Sequence, residues 1–209
     1  RIGGMQNVMA SISERLASIE DTHVFPDHFL SKKSNFSNSQ LQIHNNFSPK
    51  LLIPFIKKYL IDKVYKDNDV VICDSWKSIN AVPPNIKKIF VLAHGQEFLL
   101  TNKKFGLIKK SLDRASCIIC SSNYTENLIT KFKVTDTKKI VIPPTYSIEI
   151  PPKSRKNFKK KSRSVSRLTI SRMEDRKGII PVLKSLSELN KKKFLKPFVW
   201  NICGEGPQK

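Results

Sequence analysis

The chain has 209 residues and 23.9 kDa, with 38 Lys+Arg against 17 Asp+Glu, a formal net charge of +21 and an isoelectric point near 10.0. At a prior of ~150 residues per domain this means one or two domains, and 39% hydrophobic with 9% aromatic residues is well above the composition that leaves a charged chain disordered. The longest apolar runs, such as Leu51 to Ile53 and Cys117 to Cys120, fall far short of the ~18 residues needed to span a bilayer, so no transmembrane helix is expected.

In chain order, the pair Gly3 and Gly4 leads into Val8, Met9, Ile12, Leu16 and Ile19, a spacing that predicts an amphipathic helix over residues 6–20. Leu41 to His44 fits a short strand, and Ile53, Ile56, Leu60 and Val64 predict a helix from Leu52 to Tyr65, with Pro54 at its start. An apolar run from Asp69 to Cys73, closed by Asp74, reads as a buried strand. The pattern then repeats. Lys88 to Ala93 is a predicted strand ending at His94 and Gly95, Leu107 to Arg114 a helix, and Ser116 to Ser121 a strand. Ser122 can cap a helix running to Lys133, and Lys139 to Ile142 is one more strand before Pro143 and Pro144.

Beyond the prolines, Lys153, Arg155, Lys156, Lys159, Lys160, Lys161, Arg163 and Arg167 occur with no acid between them. Such a run repels itself and stays solvated, which predicts a linker or exposed loop over residues 145–164. After it come a strand from Val165 to Ser171, a helix from Gly178 to Leu189 and a strand from Phe198 to Cys203, ending in Gly204, Glu205, Gly206 and Pro207. Strands alternating with helices predict mostly parallel, doubly wound α/β sheets. The expected organisation is a Rossmann-like domain over 1–144, the basic segment 145–164 and the start of a second domain over 165–209. Because the first residue is Arg1 and the second unit has two strands, the chain is read as cut at both ends, inactive and poorly soluble alone.

Four cysteines are too few for a disulfide scaffold, which makes a reducing cytoplasm the default. Cys117 and Cys120 lie three apart on a predicted strand and face opposite ways, so one metal ion cannot bridge them; they read as core residues. The sequons at Asn35, Asn46 and Asn123 carry little weight without a secretory signal. The charge is uneven: residues 1–150 hold 21 Lys+Arg against 13 Asp+Glu (21 − 13 = +8), and residues 151–209 hold 17 against 4 (17 − 4 = +13). A basic surface of this kind suits phosphates of nucleic acid or an anionic membrane. No helix-turn-helix, zinc-finger spacing or aromatic-glycine RNA motif accompanies it, which argues against nucleic acid.

Ligands of open parallel sheets gather beyond the carboxyl ends of the strands. The residues there are Asp74, His94, Ser121, Ser171 with Arg172, and Gly204 with Glu205. Gly3 and Gly4 open backbone N–H groups at a helix start that favours an anion. Arg172, Lys177 and Gly178 put two cations and another helix N-terminus around one spot.

R-I-G-G-M-Q-N-V from Arg1, H-G-Q-E-F from His94, S-S-N-Y-T from Ser121, I-V-I-P-P from Ile140, S-R-M-E-D-R-K-G from Ser171 and I-C-G-E-G-P from Ile202 together resemble the GT-B glycosyltransferases of group 1, also called family 4. The resemblance implies two Rossmann-like domains and transfer of a sugar from a nucleotide-sugar donor with retention of anomeric configuration. It also implies no metal ion and no cofactor beyond the nucleotide-sugar substrate. Gly3 and Gly4 would face the donor diphosphate, and Arg172 and Lys177, with Gly178, Gly204 and Glu205 beside them, would bind the donor from the second domain. His94 would contact the transferred sugar, so His94, Arg172 and Lys177 are the implied catalytic residues. An acceptor that is lipid-linked or phosphate-bearing, and peripheral attachment at the inner face of the membrane, fit the basic charge. Three departures stand out: the strand expected before Arg1, Pro143-Pro144-Thr145 in place of proline, asparagine and glycine, and an acidic motif with two glutamates expected beyond Lys209. A phosphorylase or nucleotide-sugar epimerase would share the architecture.

Overall fold

The structure is a computed structural model describing residues 4–27, 40–46, 48–99, 104–134, 137–144, 165–193 and 198–207. Gly3, most of the basic run and the segment 145–164 lie outside them. The chain divides into two units, Arg1–Glu149 and Ile150–Lys209.

In the first unit, helix α1 (Gly4–Leu16) leads to strand β1 (Thr22–Val24), which pairs in parallel with β2 (Leu41–Ile43), Thr22 opposite Leu41. Helix α2 (Ile53–Val64) follows, with Pro54 in its first turn, where its missing N–H costs nothing. A second sheet then forms from β3 (Val71–Cys73), β4 (Ile89–Ala93), β5 (Cys117–Cys120) and β6 (Lys138–Val141), in that order and all parallel. Helices α3 (Phe105–Leu112) and α4 (Asn123–Thr130) are the crossovers of the β4–β5 and β5–β6 steps. Ser122 caps α4 as expected, its Oγ accepting from the Thr125 N–H at 3.2 Å.

The main core lies on one face of this sheet, where Val91 pairs with Ile118, and consists mainly of Ile89, Val91, Ile118, Ile108, Leu112 and Ile129. Cys120 is buried in this core and Cys117 on the opposite face of the sheet, both as free thiols, on a strand with neighbours on either side. Arg114 closes one end of the core. Its guanidinium donates at 3.0 Å to each of the Ile79, Val82 and Pro83 carbonyls, fastening the turn Ser78–Ala81 to the end of α3.

One expectation needs correction. The first unit was expected to hold one sheet, and among the described residues β1–β2 is separate from β3–β6. Strand β1, a three-residue strand of half-buried residues without a clean alternation, had no readable signature. Apolar patterning marks a strand but not its neighbour, which is why the pairing was not legible.

In the second unit, β7 (Val165–Ile170) pairs in parallel with β8 (Phe198–Cys203) through α5 (Ile179–Lys191). Trp200 on one face donates through Nε1 to Thr169 Oγ1 at 2.9 Å. On the other face Leu168, Ile170 and Val199 are exposed.

Candidate functional site

Because the strands of β3–β6 are parallel, their carboxyl ends fall on one edge, and Asp74, His94 and Ser121 follow β3, β4 and β5 there. Asp74 begins the turn after β3. Its Oδ1 accepts from Ser75 Oγ at 3.4 Å and from Ser78 Oγ, which fixes the carboxylate without an ion pair. After His94 the chain turns sharply through Gly95 at φ +92°, and a Cβ there would lie 3.1 Å from Thr125 Oγ1. Thr125, fully buried, is held by Ser121 Oγ at 3.1 Å and by Ser122 Oγ at 3.2 Å. The glycine therefore lets the His94 loop lie against the start of α4, while Phe98, edge-on to Phe132 at 5.8 Å, anchors its far side.

Within this frame His94 is half-buried. Burial holds its imidazole below the usual histidine range, opposed by the charge of Asp74 and a hydrogen bond to the Asp74 backbone. Its Nε2 is buried and has no hydrogen-bond partner among the described residues. Glu97, three residues on, accepts from the His94 backbone N–H at 3.4 Å. Burial pushes its carboxyl up to about 6, helped by the charge of Asp74 and opposed by that His94 N–H and by Lys77. The result is an imidazole held toward its neutral form, an aspartate held by hydroxyls and a carboxyl pushed up to about 6. These are the components of hydroxyl recognition and proton handling. Cys73, just below, is no nucleophile, since burial and Asp74 push its thiol up to about 12.

Glu97 stood inside the H-G-Q-E-F motif without a role, because sequence does not show that the turn after Gly95 folds its carboxylate back onto the His94 backbone. Its raised pKa has a consequence for stability. The folded chain binds more proton than the unfolded chain between pH 4.5 and about 6, so stability falls as pH rises through that window. We expect Glu97→Gln to be more stable than the parent at about pH 7.5, by on the order of 1 kcal/mol after solvent screening, and equal to it below about pH 4.5. Thermal unfolding at both pH values checks this; an unchanged difference at the two pH values contradicts it.

A second histidine feature, not singled out from sequence, lies between the middle of β1 and the end of β2. His23 Nδ1 and His44 Nε2 are 2.8 Å apart with stacked rings, and Phe25 stacks on His44 at 4.7 Å. Burial first and then His23 hold His44 below its usual range. Asn46, of the second sequon, is buried and accepts the Ser48 N–H at 2.9 Å, forming a turn.

The second unit brings its two motifs together. The β7–β8 ladder continues past the strands: the Ser171 N–H donates to the Cys203 carbonyl at 3.1 Å and the Met173 N–H to the Glu205 carbonyl at 3.0 Å. A Cβ at Gly204 would lie 1.8 Å from the Ser171 oxygen, and one at Gly206 would lie 2.2 Å from the Met173 oxygen. Both glycines are thus required by the close approach of the two loops. The turn Asp175–Lys177 ends at Gly178, left-handed at φ +69°, which opens α5 without a side-chain cap. Arg172 and Arg176 both reach Glu174, at 3.2 Å and 2.5 Å, and keep its carboxyl below the usual range, chiefly through the Arg176 hydrogen bond. The Arg172 and Lys177 side chains are exposed, and Ser171 Oγ is buried without a partner among the described residues.

In the first unit Gly4 opens α1, and a Cβ there would meet nothing within 4 Å, so no packing of the described chain requires glycine at that position. No protein-family model matches the chain, and no curated protein is similar to it at a significant level.

Proposed function

We propose that the protein is a glycosyltransferase of the GT-B group 1 type, moving a sugar from a nucleotide-sugar donor to an acceptor hydroxyl with retention of configuration. The observation that carries this reading is the pairing of the S-R-M-E-D-R-K-G and G-E-G-P segments at the carboxyl edge of β7–β8. It sets Arg172, Lys177 and the N-terminus of α5 around one strand end, beside a buried Ser171 hydroxyl with no partner among the described residues. Orphaned buried polar atoms cost ~1–3 kcal/mol, and such atoms call for a functional explanation. Here that explanation is a ligand, and His94 Nε2 is a second such atom, at the strand edge of the first unit.

The chemistry follows from where charge develops. When the bond from the anomeric carbon to the diphosphate breaks, negative charge builds on the leaving oxygen, and a new bond forms from the anomeric carbon to the acceptor hydroxyl. In this reading Arg172, Lys177 and the first N–H groups of α5, near Gly178, stabilise that charge more in the transition state than in the ground state. Gly204 and Glu205 carry the loop that flanks the donor, and Gly3 and Gly4 are proposed to face its diphosphate. His94, whose imidazole burial holds toward the neutral form, accepts a sugar hydroxyl through Nε2. Arg172 must exchange Glu174 for phosphate, an exchange its exposure makes easy. The acceptor is proposed to be lipid-linked or to carry phosphate.

The test is titration calorimetry with uridine and guanosine diphosphate. Arg172→Ala and Lys177→Ala each lose a charge-assisted phosphate contact, expected to weaken binding by ~1.5–3 kcal/mol, or roughly 10- to 150-fold. Unchanged affinity in both variants overturns the assignment.

A further inference from the structure

Helix α2 carries an unusual outer face. Leu51, Phe55 and Tyr59, one turn apart, are 86%, 71% and 67% exposed, and Leu52 is exposed beside them. Phe55 and Tyr59 share one side of the helix, continued by Leu51 and Leu52 in the turn that enters it, and this side is bordered by Lys58 and Lys63, with Lys50 at its entry and Asp62 near its C-terminal end. Lys57 points away to an ion pair with Asp27. Beside the stripe, Phe55, Lys58 and Tyr59 face Pro83–Asn85 across an open hollow of about 540 Å³. The inner face of the same helix supplies Ile61 to the core, so among the described residues the apolar stripe faces solvent on the side away from the core.

We infer that α2 is a membrane-docking surface that lays Leu51, Leu52, Phe55 and Tyr59 into the interface of an anionic bilayer, with Lys50, Lys58 and Lys63 on its headgroups. A contiguous exposed apolar patch marks an interaction site. The composition selects the partner: lysine is depleted at protein–protein interfaces, whereas an aromatic and aliphatic stripe flanked by lysines is the pattern of a helix lying in the bilayer plane. The net charge of +21 adds long-range attraction to an anionic leaflet. No helix among the described residues is long and apolar enough to cross a membrane, and the surface proposed here lies on the bilayer. The proposal is independent of the glycosyltransferase reading and assigns the attachment to the first unit rather than to the basic run at Lys153–Arg167.

The experiment is flotation with vesicles of phosphatidylcholine alone and with roughly 30% phosphatidylglycerol, at about 0.05 M and about 0.5 M NaCl. The parent chain is expected to float with the anionic vesicles, more weakly at the higher salt. Phe55→Ser with Tyr59→Ser is expected to lower partitioning about tenfold or more, and Lys58→Glu with Lys63→Glu to lower it and flatten its salt dependence. Circular dichroism should be unchanged, since all four side chains are exposed. Phe55→Trp adds a probe whose emission brominated phosphatidylcholine in the anionic vesicles should quench beyond the background of Trp76 and Trp200. The inference is overturned by parent-level partitioning of the double aromatic variant, by loss of binding only when Lys159, Lys160 and Lys161 are changed to Ser, by absence of extra quenching, or by a dimer of the chain that the aromatic pair disrupts while vesicle binding persists.

Discussion

His94→Ala is expected to lower turnover about 100- to 1,000-fold, the equivalent of ~2.7–4 kcal/mol of transition-state stabilisation, while leaving nucleoside diphosphate affinity within about twofold. The asymmetry follows from position. His94 stands at the edge of β4 in the first unit, and the proposed diphosphate grip, Arg172 and Lys177, belongs to the second. It also separates a functional histidine from a structural one. A histidine kept for the fold would have its ring nitrogens satisfied and would destabilise the chain on removal. Here Nε2 is buried with no partner among the described residues, so removing it relieves a desolvation cost, and Tm is expected to stay within about 3 °C. Turnover equal to the parent, or a large loss of Tm with proportional loss of activity, returns His94 to the structural role.

The largest stability effect is expected at Arg114. Its fork donates to three carbonyls, those of Ile79, Val82 and Pro83, each at 3.0 Å. Pro83 and Pro84 have no N–H to join a backbone ladder, so the segment depends on a side chain to hold it against α3. Arg114→Met removes all three charge-assisted bonds and leaves the Val82 carbonyl without its donor, while Ile79 and Pro83 still accept from the Val82 and Ile86 N–H groups, for an expected loss of ~3–5 kcal/mol. At ~2–4 °C per kcal/mol this is about 10 °C in Tm. Arg114→Lys, with a point charge in place of a planar fork, is expected to recover less than half. Thermal unfolding of the three proteins decides it; a loss under about 1 kcal/mol for Arg114→Met means the fork is not what holds the turn.

Much of the fold was legible along the chain because most elements carry a period. The strands β3 to β8 and the helices α2 to α5 fall within a few residues of their apolar runs, and Ser122 announced its own cap. The exception in the first unit is β1, whose three residues, Thr22–Val24, are too few and too evenly half-buried to show alternation. The ends of elements drifted for a related reason. At Phe105, two residues ahead of the expected start at Leu107, and at Lys191, two beyond the expected end at Leu189, hydrogen bonding rather than hydrophobicity sets the boundary.

What the sequence determined by itself is the alternation of strand and helix and the division near the proline-flanked basic run. It also determined which residues follow strand ends, because burial period, turn chemistry and charge repulsion act over a few neighbouring residues. Tertiary structure decided everything that depends on which segments meet. It separated β1–β2 from β3–β6, folded Glu97 back onto His94, set Asp74 beside the imidazole, drew Ser171–Met173 against Gly204–Gly206 and turned Phe55 and Tyr59 outward. Backbone pairing between distant segments and the desolvation of a particular atom are properties of contacts across the chain, and no local pattern encodes them.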